Sequence, residues 1–170
     1  MSNKKFIESI PVGPLAIVAL PGSKALGDKV DAYISGWRSE RLEAKESPIT
    51  FKGYVKDSYL LNVSVPRFGT GEAKCALKDT VRGCDLYIID DVTNHSIEYT
   101  VCGQKNHMSP DDHYADIKRV IAAASGKARK ITVIMPFLYE SRQHRRSSRE
   151  SMDCAVMLQE LVNMGVDNII

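Results

Sequence analysis

Apolar residues along this chain gather in short unbroken runs, separated by stretches that repeat with a helical period. Leu15-Ala16-Ile17-Val18-Ala19-Leu20 is the first run, closed by Pro21-Gly22. A run of this kind reads as a strand covered on both faces, the habit of parallel sheets. Ser23 can cap a helix that follows and runs to about Arg38, with Leu26, Val30, Tyr33, Ile34 and Trp37 at helical spacing. That stripe assigns Tyr33 and Trp37 to the core. Strand, Gly-containing turn and helix open a βα unit.

The alternation continues. Residues 39–57 are polar, charged and without a period, which marks an excursion or insertion. Tyr59 to Val65 is β-rich, and a turn at Phe68-Gly69-Thr70-Gly71-Glu72 leads into a short strand around Ala73 to Leu77. Asp85 to Asp90 and Ile131 to Met135 are two further buried strands. Ser109-Pro110-Asp111-Asp112 offers a cap, a first-turn proline and acids against the helix dipole, so a helix should run from there to about Ser125, ended by Gly126. A last helix spans about Ser151 to Asn163, and Val166 to Ile170 begins another strand. Strands alternating with helices predict an α/β fold with a mainly parallel sheet, in one domain of 170 residues. The chain stops at an apolar point inside that strand, which predicts a carboxy-terminal half beyond it.

Composition narrows the class without deciding it. The net charge of +2 is too small to call for a nucleic-acid partner. Cys75, Cys84, Cys102 and Cys154 are widely spaced, with no CxxC pair, which argues against a zinc site or a disulfide framework and for a reducing, cytoplasmic setting. No apolar run approaches the ~20 residues of a membrane span. The first residues lack the apolar stretch of a signal peptide. His95, His107 and His113 have no ligand-spaced partner, so surface or structural roles are expected for them.

One segment carries chemistry by its composition. Tyr139-Glu140-Ser141-Arg142-Gln143-His144-Arg145-Arg146 follows the third buried strand, and four arginines fall between positions 142 and 149. In open α/β sheets ligands sit outside the carboxyl ends of the strands, and guanidinium forks match phosphate oxygens in pairs. The alternative is a solvated basic loop whose arginines meet nearby acids. Stacking aromatics are not interleaved with the charges, which weakens a nucleic-acid reading.

This run resembles a signature of the ribose-phosphate diphosphokinases (PRPP synthetases), aromatic-Gly-Tyr-Ala-Arg-Gln-Asp-Arg-Lys followed by Arg-Glu-Pro. The stretch Arg67-Phe68-Gly69-Thr70-Gly71-Glu72, with Asp79-Thr80-Val81-Arg82-Gly83-Cys84-Asp85 after it, is similar to a second motif, Arg-Phe-x-Asp-Gly-Glu … Ser-Val-Arg-Gly-x-Asp. The strand and Pro21-Gly22-Ser23 turn match the family's opening. The resemblance covers roughly residues 13–38 and 59–170. It implies a three-layer αβα, phosphoribosyltransferase-like amino-terminal domain, in which Arg142, Gln143, His144 and Arg145 contact ATP. It also implies that Phe68, Thr70 and Glu72 reach adenine in a neighbouring subunit of a homo-oligomer. The family transfers the ATP diphosphoryl group to ribose 5-phosphate with Mg²⁺, and its sugar and metal motifs would start past Ile170. The chain alone is therefore expected to be inactive. Thr70 and His144 replace family aspartates, and Ser151 replaces a proline. Those departures keep open a non-catalytic regulatory or assembly subunit, and a generic phosphate-binding module stands third.

Overall fold

A computed structural model describes residues 11–44 and 51–170. The central element is a four-stranded parallel sheet of β1 (Leu15–Ala19), β4 (Asp85–Ile89), β7 (Lys130–Ile134) and β8 (Asn168–Ile169), in the order β1-β4-β7-β8. Val18 pairs with Ile88 and Ile88 with Val133, so the apolar runs lie in register side by side. Because side chains alternate across a strand, each run feeds two faces.

Ala16, Val18, Leu86, Ile88, Ile131 and Val133 point to one face. They meet α2 (Pro110–Ala124) and α3 (Asp153–Asn163) through Ile117, Val120, Ile121, Met157 and Leu161. Ile17 and Ile89 face the other way, with Val30 and Ile34 of α1 (Lys24–Glu43) packed against them. The result is a three-layer α/β/α domain with the larger core under α2 and α3. Each fully buried aliphatic side chain there contributes about 1.5–3 kcal/mol relative to exposure.

The first helix departs from expectation at both ends. Ser23 stands at its N-cap position without a capping bond, because a single 3-10 turn, Pro21–Ser23, leads into the helix. At the far end α1 runs on to Glu43, since Ser39-Glu40-Arg41-Leu42-Glu43 holds no glycine or proline to stop it where the apolar stripe ends. Tyr33 is 73% exposed and Trp37 40% exposed, so neither belongs to the core. The sheet offers α1 contacts along a narrow line through Val30 and Ile34, and the flanking positions of the stripe stay in water.

The polar excursion is partly folded onto this helix. Residues 45–50 lie outside the described residues. Beyond them, Arg38 donates to the Tyr54 carbonyl (2.9 Å) and lies 4.3 Å from the Tyr54 ring centre. The buried carboxylate of Asp31 accepts from the Tyr59 amide (2.6 Å) and the Ser58 hydroxyl (2.7 Å). These bonds deliver the chain to the free edge of β1, where Leu60 makes a parallel bridge with Ile17.

Short antiparallel pairs complete the fold. β2 (Val63–Ser64) pairs with β3 (Ala76–Leu77), replacing the longer strands expected at 59–65 and 73–77. β5 (Glu98–Val101) and β6 (Gln104–His107) form a hairpin that the sequence pattern did not announce. Its turn residues, Cys102 and Gly103, both have positive φ (48° and 81°), as a two-residue turn of matching twist requires. No described helix is long and apolar enough to cross a membrane, and the four cysteines are free thiols.

Helix α1 packs closely on β1 at Gly27, where an added Cβ would overlap the Ala19 methyl group. Gly36, exposed in the same helix, meets nothing within 4 Å. Gly27→Ala should therefore cost about 1–3 kcal/mol through overpacking, whereas Gly36→Ala should add about 0.5–1 kcal/mol from helix propensity. Denaturant midpoints of the two variants check this. Equal shifts in the same direction would contradict the packing described.

Candidate functional site

The carboxyl ends of β1, β4 and β7 open into three segments: the Pro21–Ser23 turn, residues 90–97, and residues 135–150. Helix α2 organises all of them through its first two turns. The helix begins as its sequence predicts, with a reciprocal capping box: the Ser109 hydroxyl accepts from the Asp112 amide (3.2 Å), and the Asp112 carboxylate accepts from the Ser109 amide (2.9 Å).

The arginine-rich segment is anchored by an aromatic pair. Tyr139 stacks on Tyr114 of α2 with ring centres 4.4 Å apart and planes at 9°, and its hydroxyl donates to Asp111 (2.6 Å). Glu140 then takes a left-handed backbone conformation (φ 54°). The reversal is closed by the Gln143 amide donating to the Glu140 carbonyl (2.9 Å). The Gln143 carbonyl accepts from the Cys154 amide, joining the loop to α3. His144 turns inward on its own loop, its Nδ1 donating to the Ser141 carbonyl (2.8 Å). Arg142, Arg145 and Arg146 are exposed.

Arg142 lines a cavity of about 380 Å³ between this loop and the segment after β4, with Tyr139, Glu140, Thr93 and His95 also in its wall. The volume is in the range of small-molecule sites. Gln143, His144 and Arg145 do not line it.

The second group of candidates forms a separate turn. The Phe68 amide donates to the Glu72 carbonyl (2.6 Å), and the Gly71 amide to the Phe68 carbonyl (2.9 Å). Phe68 is 49% exposed at the tip, so it is not a core residue. Thr70 donates its hydroxyl to Glu72 Oε2 (2.9 Å), which orients that carboxylate. The turn rests on the β5–β6 hairpin. The Cys102 amide donates to the Gly69 carbonyl (2.8 Å), and Gly71 (φ 93°) packs so tightly that an added Cβ would lie 3.2 Å from Val101. Arg67, at the root, stacks over Tyr99 (4.9 Å) and pairs with Asp116 of α2 (2.7 Å). None of residues 67–72 lines the Arg142 cavity within this chain.

His113, expected to be surface or structural, is fully buried and links two of the strand ends. Its Nδ1 faces Asp90 Oδ2 and its Nε2 faces the Asn94 carbonyl, both at 2.9 Å. Both neighbours can accept, so a ring protonated at both nitrogens satisfies the two contacts at once. Asn94 in turn donates its side-chain amide to the Gly22 carbonyl (2.8 Å). A Cβ on Gly22 would overlap both Asp90 and His113, which is why that turn carries glycine.

Comparison with known proteins now has a geometry to attach to. Residues 15–165 match the N-terminal domain of ribose phosphate pyrophosphokinase. The chain belongs to this family. The ribose-phosphate pyrophosphokinase of Haemophilus ducreyi is 31% identical over 111 residues, which are 64% of this chain and 31% of that protein. Ribose-phosphate pyrophosphokinase 1 of Schizosaccharomyces pombe is 27% identical over 111 residues, 64% of this chain and 24% of that protein. The matched stretch thus covers about a third or less of the length of these relatives. The phosphoribosylpyrophosphate synthetase of Mycobacterium smegmatis shares the fold, with a TM-score of 0.62 and 19% identity over 91% of this chain and 41% of that one. The α/β architecture read from the apolar runs is therefore the architecture of this family.

The buried pair makes stability pH-dependent. Burial alone pushes the His113 pKa down, but the Asp90 carboxylate, the Asn94 carbonyl and Asp116 outweigh it, so the net shift is upward. Burial also raises Asp90, aided by Asp91 and opposed by His113. The folded state holds these protons more tightly than the unfolded one. The His113 contribution is complete below about pH 6.5 and is lost as pH rises through its higher folded value. Unfolding midpoints should accordingly fall as pH rises, first from about pH 4 as Asp90 gives up its proton and then above about pH 6.5 as His113 does. His113→Gln should flatten that slope and lower stability by about 3–5 kcal/mol, because Asp90 stays buried without its counter-charge. A slope that survives in the variant would assign the effect to other groups.

Proposed function

We propose that this chain is the ATP-contacting, amino-terminal part of a ribose-phosphate pyrophosphokinase, an enzyme that moves the diphosphoryl group of ATP onto ribose 5-phosphate. The observation that carries this reading is the exposed guanidinium of Arg142 on a cavity at the carboxyl edge of the parallel sheet. A forked donor held there can take phosphate oxygens in pairs. Gln143 and Arg145 follow on the same loop and extend the polar surface along a phosphate chain. His144 is committed to the Ser141 carbonyl and serves the loop's shape.

Phe68, Thr70 and Glu72 supply the base-recognition half of the reading. A half-exposed ring offers a face for adenine, and the Glu72 carboxylate, steadied by Thr70, can accept from the exocyclic amine. They stand apart from the Arg142 cavity of their own chain, which favours an assembly in which a neighbouring copy provides them. Mg²⁺ would neutralise the phosphate charge when nucleotide is bound. Among the described residues no group of three His, Cys, Asp or Glu converges to hold such an ion. We assign no ribose 5-phosphate contact to the described residues, and this chain by itself should make no PRPP.

A second reading, a non-catalytic regulatory or assembly subunit, rests on Thr70. Its neutral hydroxyl points to Glu72 and leaves the turn with one carboxylate where the family motif has two. ATP titration by calorimetry at fixed salt tests the first reading. Arg142→Ala should weaken binding about ten- to a hundredfold, the effect of losing a charge-assisted hydrogen bond. Unchanged affinity would remove Arg142 from the site. PRPP formed by the isolated chain in a coupled assay would overturn its predicted inactivity.

A further inference from the structure

The wall opposite Arg142 is built by residues that neither family motif includes. Val92, Thr93 and His95 come from the segment after β4, while Arg142 and Tyr139 come from the loop after β7, so the cavity lies between the carboxyl ends of two neighbouring strands. His95 is exposed, yet its backbone is fixed on both sides. The preceding residue, Asn94, is held through its carbonyl by buried His113 and through its side chain by Gly22. The carbonyl of His95 accepts from His107 Nδ1 of the hairpin (2.7 Å). Ser96 donates its amide and hydroxyl to Asn94 Oδ1 (2.9 and 2.6 Å). Thr93 is tied as well, its hydroxyl donating to Asp91 (2.6 Å).

The geometry points to His95 as a further phosphate-contacting residue, which grips an anionic chain from the β4 side while Arg142 grips it from the β7 side. This inference rests on the reading of the cavity as a phosphate site. Glu140 lines the same cavity and its carboxylate opposes an anion, so a single guanidinium facing it leaves little net attraction. A second donor on the opposite wall changes that balance. It also fixes direction, since two donors on different loops define a line along which phosphates lie. The rigid backbone around His95 lowers the entropy lost when its ring engages a ligand. Thr93, with its hydroxyl already committed to Asp91, is part of the wall and no donor.

The test uses the whole 170-residue chain and three probes: inorganic triphosphate, ATP and adenosine. His95→Ala should weaken triphosphate and ATP binding about two- to tenfold, the range of one hydrogen bond, and leave adenosine binding and the unfolding midpoint unchanged. His95→Gln keeps an N–H donor near the ring's outer nitrogen and should retain most of the affinity. If Arg142→Ala loses triphosphate while His95→Ala binds it like the parent chain, this inference fails and the phosphate cavity stands. If neither variant changes triphosphate binding, or the parent chain binds none, the cavity is not a phosphate site and both readings fall together.

Discussion

A histidine–aspartate pair sealed inside the domain sets the geometry of the segments at the carboxyl edge of the sheet. His113 has no contact with water, and its two N–H groups are claimed by Asp90 at the end of β4 and by the Asn94 carbonyl four residues on. Such a ring tolerates no vacancy, because an unpaired donor or an uncompensated Asp90 would cost several kcal/mol. The segment after β4 must therefore curl back over α2. Asn94 then reaches the Gly22 carbonyl and joins the end of β1 to the same cluster. Apolar packing beneath, through Val18, Ile88, Val133 and Ile117, gives the sheet its cohesion; the buried pair dictates where the segments above it go.

Helix α2 extends this control with side chains on its other faces. Asp111 and Tyr114 hold Tyr139, and so set the start of the arginine loop. Asp112 accepts from Tyr99, and Asp116 pairs with Arg67, so the hairpin and the Phe68 turn are referred to the same helix. Asp116 is 2% exposed and also pairs with Arg119, which supplies the second donor such a buried carboxylate needs. The chain's family membership fits this economy of parts. Loops that leave a sheet at one edge need a stiff element to position them, and α2 has the capping box and the buried face to be one.

The central strands were legible because a sheet covered on both faces leaves continuous apolar runs, and α2 because its start carries its own cap chemistry. The arginine loop and the Phe68 turn were legible as motifs, and the structure finds each as one compact unit. Other features left no readable signal. Gln104-Lys105-Asn106-His107 is exposed throughout, so β6 shows no alternation, and the hairpin depends on Cys102 adopting a backbone conformation that favours glycine. The burial of His113 was not legible because its partners, Asp90 and Asn94, are remote in sequence. Tyr33 and Trp37 share the stripe of Val30 and Ile34, but periodicity does not reveal how wide the covering sheet is.

The shared footing on α2 has a consequence for motion. Loops that each packed on a different element could open one at a time. Here the arginine loop, the segment around His95 and the Phe68 turn all bond to side chains from two consecutive turns of one helix. Loosening that helix start releases all three, and none gains much freedom while it stays closed. The carboxyl edge of the sheet is thus expected to open as a single cooperative unit, its backbone amides exchanging with solvent on one common timescale rather than on three.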